Sequence, residues 1–133
     1  MNGRIRAKRS ALILGFVAGA GILILAYGVM CLAIGAGVDD ALEKARGRFS
    51  ENDTDGLVAM MNSSDIPLKD RNLAVWALGQ LGDTRATASL EMLLTGKPCD
   101  HASAVCQRGL KKAIRQCRGG VNISSWAWKP FVL

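Results

Sequence analysis

The chain has 133 residues, of which 50% are hydrophobic and 21% are charged, and its net charge is +6. This length excludes a large multidomain protein, and this apolar content excludes a disordered chain. A basic balance favours nucleic acid as a partner of a soluble protein, but much of the charge here lies in the first ten residues, beside an apolar segment. Membrane topology explains that charge, so we expect no nucleic-acid partner.

The amino-terminal part of the chain predicts one membrane-spanning helix. Residues 11–36 contain no charged residue, no proline, no asparagine and no glutamine. A helix of this length measures about 39 Å, enough to cross a hydrocarbon core of about 30 Å with some tilt. The apolar region of a secretory signal peptide is shorter, about 7–15 residues. We therefore predict an uncleaved transmembrane helix over residues 11–37.

Charges on the two sides of this helix predict its orientation. Residues 1–10 carry four basic residues and no acidic residue, whereas three acidic and three basic residues follow the helix, over residues 39–48. Basic flanks tend to stay in the cytoplasm. We expect a single-pass protein of the bacterial inner membrane, with residues 1–10 in the cytoplasm and the remainder in the periplasm. The small residues Ala11, Gly15 and Gly19, spaced by four, are candidates for pairing with another membrane helix.

Helical periodicity continues beyond the membrane. Apolar residues recur on one face over residues 38–52, which predicts an amphipathic stalk that extends the transmembrane helix. Four short helices are expected next, at about 55–62, 68–81, 84–94 and 101–117. Pro67 is suited to the start of the second, and Asp100 is the expected N-cap of the fourth. Helices this short are stable only when they pack together. We therefore predict an all-α protein with a helical domain over residues 53–118 and an aromatic tail over residues 119–133.

The most specific pattern lies in residues 71–90, RNLAVWALGQLGDTRATASL. It contains Arg71, Ala74, Ala77-Leu78-Gly79, Leu81-Gly82-Asp83, Arg85-Ala86 and Leu90. This run resembles the HEAT repeat, in the short variant shared with phycobilisome lyase-like proteins, whose pattern is R-x-x-A-x-x-A-L-G-x-L-G-D-x-R-A. The resemblance implies a short α-solenoid of about two helical hairpins. It also implies a protein-interaction scaffold, or, as in some members of the family, a lyase.

The small residues of this pattern have physical roles of their own. We expect Gly79, with the alanines near it, to let neighbouring helices approach closely. Gly82 is expected to end its helix in a left-handed turn, and Asp83 to cap the next helix.

Three tryptophans are candidate partner contacts. Trp76 lies away from the face that carries Ala77 and Leu78, so it packs against a neighbouring helix or the tail, or it anchors a partner. The pair Gly119-Gly120 ends the fourth predicted helix, and Trp126 and Trp128 follow in the tail. The tail either folds back to cap the solenoid, docks into the membrane interface or binds a partner.

The fourth predicted helix also has a basic face. Arg108, Lys111, Lys112 and Arg115 lie on it, together with Arg118 near the helix end. Such a face is either solvated or attracts anionic lipid headgroups or an acidic protein. We count the first four of these residues as partner-binding candidates.

The cysteines favour a disulfide over a metal or catalytic site. Cys99 and Cys106 are spaced for a bond between a loop and the following helix, and an oxidising exterior permits it. Cys106 and Cys117 would lie about 16 Å apart on one helix, too far to bond or to share a zinc ion with His101. Cys117 is then buried and free, or paired outside the chain. A nucleophile made of Cys99 and His101 lacks an orienting group. We therefore predict no catalytic residue, no metal and no cofactor.

These observations predict a membrane-anchored protein–protein interaction module with a HEAT-like domain outside the cytoplasm. Its expected partners are the lipid bilayer and a protein in or near the membrane, or a second copy of the chain. Two alternatives remain open. One is a structural accessory subunit of a larger membrane complex, and the other is a lyase-like or thiol-dependent enzyme that uses Cys99 or Cys117.

Overall fold

The computed structural model describes the backbone of residues 2–49, 52–100 and 102–132, and the side chains of residues 12–49, 52–100 and 102–130. Over these residues the chain is helical, with connecting loops and no strand, which confirms the all-α class. The elements in chain order are α1 (Asn2–Arg46), α2 (Asp53–Asn62), α3 (Leu68–Leu81), a 3-10 turn (Thr84–Ala86), α4 (Thr87–Met92), α5 (Gln107–Cys117) and α6 (Ile123–Val132).

Helix α1 joins the predicted transmembrane segment and the predicted stalk without a break. Its apolar side chains over residues 12–32 are largely exposed, for example Phe16 at 80%, and the helix is a candidate membrane span by length and composition. The end of α1 differs, because Val38, Ala41, Leu42 and Ala45 are fully buried in the core of the helical domain. The apolar face of residues 38–45 therefore belongs to the domain core and does not form a free-standing stalk.

Helices α2 and α3 form a hairpin that packs on the end of α1. The Asn52 side chain caps α2 by accepting a hydrogen bond from the backbone N–H of Asp55, and α2 buries Leu57, Met60 and Met61. Pro67 immediately precedes α3, where its fixed backbone angle suits a helix start. The expected helices at 55–62 and 68–81 are confirmed by α2 and α3. They could be predicted because apolar periodicity and turn residues specify both.

The glycines of the motif behave as expected. A Cβ atom on Gly79 would lie 2.9 Å from the Cα atom of Ala113, so α3 and α5 approach closely only because residue 79 has no side chain. Gly82 ends α3 with a φ of 65°, and the Asp83 carboxylate accepts a hydrogen bond from the backbone N–H of Arg85 in the 3-10 turn. These local predictions are confirmed.

The second half of the domain departs from the predicted helix boundaries. The expected helix at 84–94 is a 3-10 turn followed by the short helix α4. The expected N-cap at Asp100 is wrong: α5 begins at Gln107, and Asp100 instead accepts hydrogen bonds from Ala102 and Ser103 in a turn. The loop before α5 is held by tertiary bonds, since the Cys106 backbone N–H donates to the Asn72 side chain at 2.8 Å.

The carboxyl-terminal tail forms a helix that periodicity did not predict. Helix α6 folds back on α1, where the Tyr27 hydroxyl donates to the backbone carbonyl of Ile123 at 3.3 Å. It also contacts the end of α3, because the Lys129 ammonium donates to the Leu81 carbonyl at 2.6 Å. Trp128 is buried in the shared core. The tail thus packs on α1 and α3.

Candidate functional site

Trp76 lies in the contact between α3 and α1. A Cβ atom on Gly37 would lie 3.1 Å from the Cη2 atom of Trp76, so the indole ring rests against the α1 backbone at a residue without a side chain. The ring is half-buried and packs on the core. This packing accounts for Trp76 within the chain, and its use by a partner stays a prediction.

The two tail tryptophans have opposite environments. Trp128 is 1% exposed and borders a crevice of about 300 Å³ between α1 and α6, whereas Trp126 is 86% exposed. The Nε1 atom of Trp128 has no acceptor among the residues that the structure describes. Of the two, only Trp126 is available to a partner, and burial turns Trp128 into a core residue.

The basic face of α5 is open. Its opposite face buries Leu110, Ala113, Ile114 and Cys117, which leaves the cationic side chains outside. Arg118 forms an ion pair with Glu91 of α4. The four other cations are exposed, and none forms an ion pair with a described residue: Arg108, Lys111, Lys112 and Arg115. We call these four residues the basic face.

A polar cleft that the sequence analysis did not predict lies between the end of α1 and the α3–α4 corner. Its volume is about 1140 Å³. The carboxylate of Asp83 accepts a hydrogen bond from the Thr54 hydroxyl at 2.6 Å and pairs with Arg85 at 2.6 Å. These bonds, first of all that with Arg85, lower the pKa of Asp83 to about 2. The cleft is lined by Asp39, Glu43, Arg46, Gly47, Asn52, Asp53, Thr54, Leu81, Asp83 and Arg85.

Two ion pairs join four of the six charged side chains that line this cleft. Arg46 pairs with Asp53 at 2.6 Å, and Asp83 pairs with Arg85 at 2.6 Å. No group of three His, Cys, Asp or Glu residues that suits a metal occurs in the described part of the chain. Asp83 and Arg85, which belong to the motif at residues 71–90, are the one signal in the sequence that points to this cleft. The first ion pair connects α1 with α2, and the second holds Asp83 to the 3-10 turn.

The structure brings together the two cysteines that were expected to bond. The Sγ atoms of Cys99 and Cys106 are 3.2 Å apart, and the backbone N–H of Arg108 donates to Cys99. The backbone N–H of Gly109 and the Cys99 thiol lower the pKa of Cys106. The two thiols are unbonded at this distance, because a disulfide measures about 2.05 Å.

Cys117 has the opposite chemistry. It lies in the core, its thiol donates to the Leu78 carbonyl at 3.4 Å, and burial raises its pKa to about 11. A thiol in this state is a poor nucleophile near neutral pH. His101, which the zinc and nucleophile alternatives required, lies outside the described residues.

The candidate helix-pairing residues lie on the apolar part of α1. A Cβ atom on Gly15 or Gly19 would meet no atom of another described part of the chain within 4 Å, so this face is open among the described residues. The side chain of Ala11 lies outside the described residues. Pairing through this face stays a prediction.

A scan against models of protein families, a search of curated proteins and a search of solved structures found no match for this chain. The HEAT resemblance therefore depends on residues 71–90 alone, and function has to be argued from the geometry of the surfaces.

Proposed function

We propose that this protein is a membrane-anchored interaction module whose helical domain binds an acidic protein surface. Helix α1 crosses the inner membrane once, residues 1–10 stay in the cytoplasm, and the domain lies on the outer side. The uncharged run at 11–36 and the four basic residues before it support this arrangement. The partner is a protein in or beside the same membrane.

The domain is proposed to be a short HEAT-like solenoid. Two hairpin-like pairs support this assignment, α2 with α3 and α4 with α5, and they stack through the close contact of α3 with α5. The turn at Gly82 and the cap at Asp83 occur where the repeat pattern has its glycine and aspartate. A two-repeat array leaves its ends uncovered, and α1 and α6 cover one side of it here.

The basic face of α5 is the observation that carries the proposed binding role. Four exposed cations without ion-pair partners among the described residues lie on one helix whose opposite face is buried in the core. Such a surface gains Coulomb energy from an acidic partner, and binding costs little backbone entropy because the helix is already ordered. Anionic surfaces are also steered toward it over a distance of about 10 Å at moderate salt.

Charge reversal on α5 tests this proposal. We expect the variant Lys111→Glu/Lys112→Glu to recover at least about tenfold less partner in a crosslinking pull-down from intact membranes, read by mass spectrometry. The matched control, Lys69→Glu/Lys97→Glu, changes two exposed lysines elsewhere and is expected to recover as much partner as the native chain. Equal recovery by all three proteins would refute the role of the basic face. Recovery of the chain alone would leave only self-association.

Topology is tested separately with a reporter fused after Leu133. A reporter that is active only outside the cytoplasm should be active there. Activity of a cytoplasm-only reporter at the same position would overturn the orientation, and with it the oxidising environment of the domain.

A disulfide between Cys99 and Cys106 is part of the proposal. Exchange with an external protein disulfide would join the two sulfurs, and the two electrons and two protons of the thiols would reduce that external disulfide. The contact of 3.2 Å supports this pairing. Alkylation of the denatured, unreduced protein should modify two of its four cysteines, and all four after reduction. Modification of four cysteines without reductant would contradict the bond.

A further inference from the structure

The exposed apolar side chains of the helical domain are concentrated in one place. Beyond α1, the large hydrophobic side chains that the structure describes as exposed are Met92, Val121, Ile123 and Trp126. Three of these four belong to α6 and the turn before it, and we call Val121, Ile123 and Trp126 the tail patch. Their exposed fractions are between 69% and 88%, so no described part of the chain covers them. A patch of this kind needs an apolar or interfacial partner.

The tail patch lies beside the apolar part of α1. Helix α6 contacts α1 through the bond from Tyr27 to Ile123 and through the crevice that Ile24, Cys31 and Trp128 border. The first charged side chains of α1 after its apolar run, Asp39 and Asp40, lie farther toward its carboxyl end. Helix α6 is therefore on the membrane side of these charges.

The length of the span places this contact at the boundary of the bilayer. A helix of about 20 residues crosses the hydrocarbon core, so a span that begins near residue 11 leaves the core near Cys31. The contacts of α6 at Ile24 and Tyr27 lie within about 10 Å inside that point, which is the depth of a helix in the membrane interface. Tryptophan is enriched there because its ring is apolar and its N–H is polar. Both the apolar part of α1 and the tail patch of the neighbouring helix α6 are exposed.

The charges of α6 are compatible with this environment. Residues 119–132 contain no acidic residue, and their one basic residue, Lys129, directs its ammonium to the Leu81 carbonyl in the domain. No charge therefore has to be buried with Trp126.

From these observations we infer that α6 lies in the headgroup–hydrocarbon boundary of the bilayer that α1 crosses, with Trp126 in contact with phospholipid. The inference rests on the proposed span of α1. It adds a second attachment, which fixes the tilt of the domain against the membrane and therefore the direction in which the basic face points.

Fluorescence quenching in reconstituted vesicles tests this contact. The full chain and its Trp126→Phe variant are placed in phosphatidylcholine–phosphatidylglycerol vesicles, and the difference between their emission spectra isolates Trp126. Phospholipids brominated on the acyl chain should reduce this difference signal at least about twofold. Trp126 is 86% exposed, so its replacement by phenylalanine leaves the core unchanged.

Two reporters in the Trp126→Phe background make the outcome decisive. The Phe16→Trp reporter lies in the proposed span and should be quenched. The Met92→Trp reporter lies on α4, where the native methionine is 77% exposed, and it should not be quenched. Quenching of the Phe16→Trp reporter without quenching of Trp126 would overturn the inference and leave the anchor intact. Absence of quenching at both positions would overturn the anchor as well. Quenching at Met92→Trp equal to that at Trp126 would also overturn the inference, because lipid contact would then not be specific to α6.

Discussion

At the corner between α3 and α4, the carboxylate of Asp83 binds the 3-10 turn and α2. It caps the 3-10 turn, accepts a hydrogen bond from the Thr54 hydroxyl of α2 and forms an ion pair with Arg85. Since these bonds need the ionised form, they depress the pKa of Asp83 to about 2 from an ordinary value of 3.8. A carboxyl whose pKa is lower in the folded state stabilises that state above its unfolded pKa.

We expect Asp83→Asn to lower the free energy of unfolding at pH 7 by about 1–2 kcal/mol, because solvent screens the exposed Arg85 and reduces the full effect of the shift. The difference from the native chain should shrink as the pH falls from about 4 toward 2, where Asp83 becomes protonated. Urea unfolding in detergent micelles at several pH values measures this difference in the free energy of unfolding. The matched control is Asp65→Asn, at an exposed carboxylate without a side-chain bond to a described residue. A loss that does not change with pH would contradict the assignment.

The thiols should differ in reactivity according to their environments. In the reduced, folded protein at pH 8, iodoacetamide is expected to modify Cys106 or Cys99 well before Cys117. The pKa of Cys117 is raised to about 11 by burial, so less than about 1% of it is thiolate at pH 8. Peptide mass spectrometry over time resolves the order. Rapid modification of Cys117 in the folded state would restore it as a candidate nucleophile.

At the scale of elements, the packing of α3 on α5 decides the shape of the domain. Gly79 lies where the two helices meet, and a Cβ atom there would be 2.6 Å from the Oε1 atom of Gln116 as well as 2.9 Å from Ala113. The glutamine can move aside, but the Ala113 backbone cannot move without shifting α5. The helical cost of glycine at this position is thus offset by close packing.

Gly79→Ala is therefore expected to destabilise the protein by about 1–3 kcal/mol. The control is Gly109→Ala in α5, where a Cβ atom would meet only the Cβ atom of Cys106, at 3.8 Å. That substitution should be neutral or stabilise by up to about 1 kcal/mol, because alanine is the better helix former. Thermal unfolding followed by circular dichroism compares the two variants. Equal effects would show that helix–helix contact at Gly79 is not limiting.

At the scale of the whole molecule, α1 has two parts with different surroundings, an exposed apolar part and an end that is buried in the domain core. Its apolar part is exposed over residues 12–32, and its end fills the domain core with Val38, Ala41, Leu42 and Ala45. Trp76 and α6 add further contacts between α1 and the domain. The domain is thereby attached to α1 through its core and not through a linker.

This attachment predicts that the domain does not fold without the end of α1. A fragment of residues 50–133 should lose cooperative unfolding, because removal of the four buried α1 side chains leaves apolar surface on α2 and α3 without cover. A fragment of residues 34–133 retains those side chains and should unfold cooperatively at a lower temperature than the full chain. Native helicity and a sharp transition in the shorter fragment would contradict the shared core.

Local signals in the sequence were sufficient for part of this description. The uncharged run at 11–36, the helices at 55–62 and 68–81, the turn at Gly82 and the cap at Asp83 are each specified by residues close together in the chain. The predicted start of the fourth helix, near residue 101, is too early, because α5 begins at Gln107. Asp100 can cap a turn as well as a helix, and tertiary hydrogen bonds to the loop decide between the two.

The sequence by itself determined the all-α class, the candidate span and the chemistry of the motif, because hydrophobic periodicity, glycine and capping residues act within a few positions. Only the tertiary structure decided that residues 38–45 belong to the core, that Trp76 rests on Gly37, that Cys99 approaches Cys106 and that the tail is a helix against α1. Each of these depends on which buried surfaces meet. The free energy of this packing comes from contacts between residues far apart in the chain, so no local sequence pattern predicts which surfaces meet.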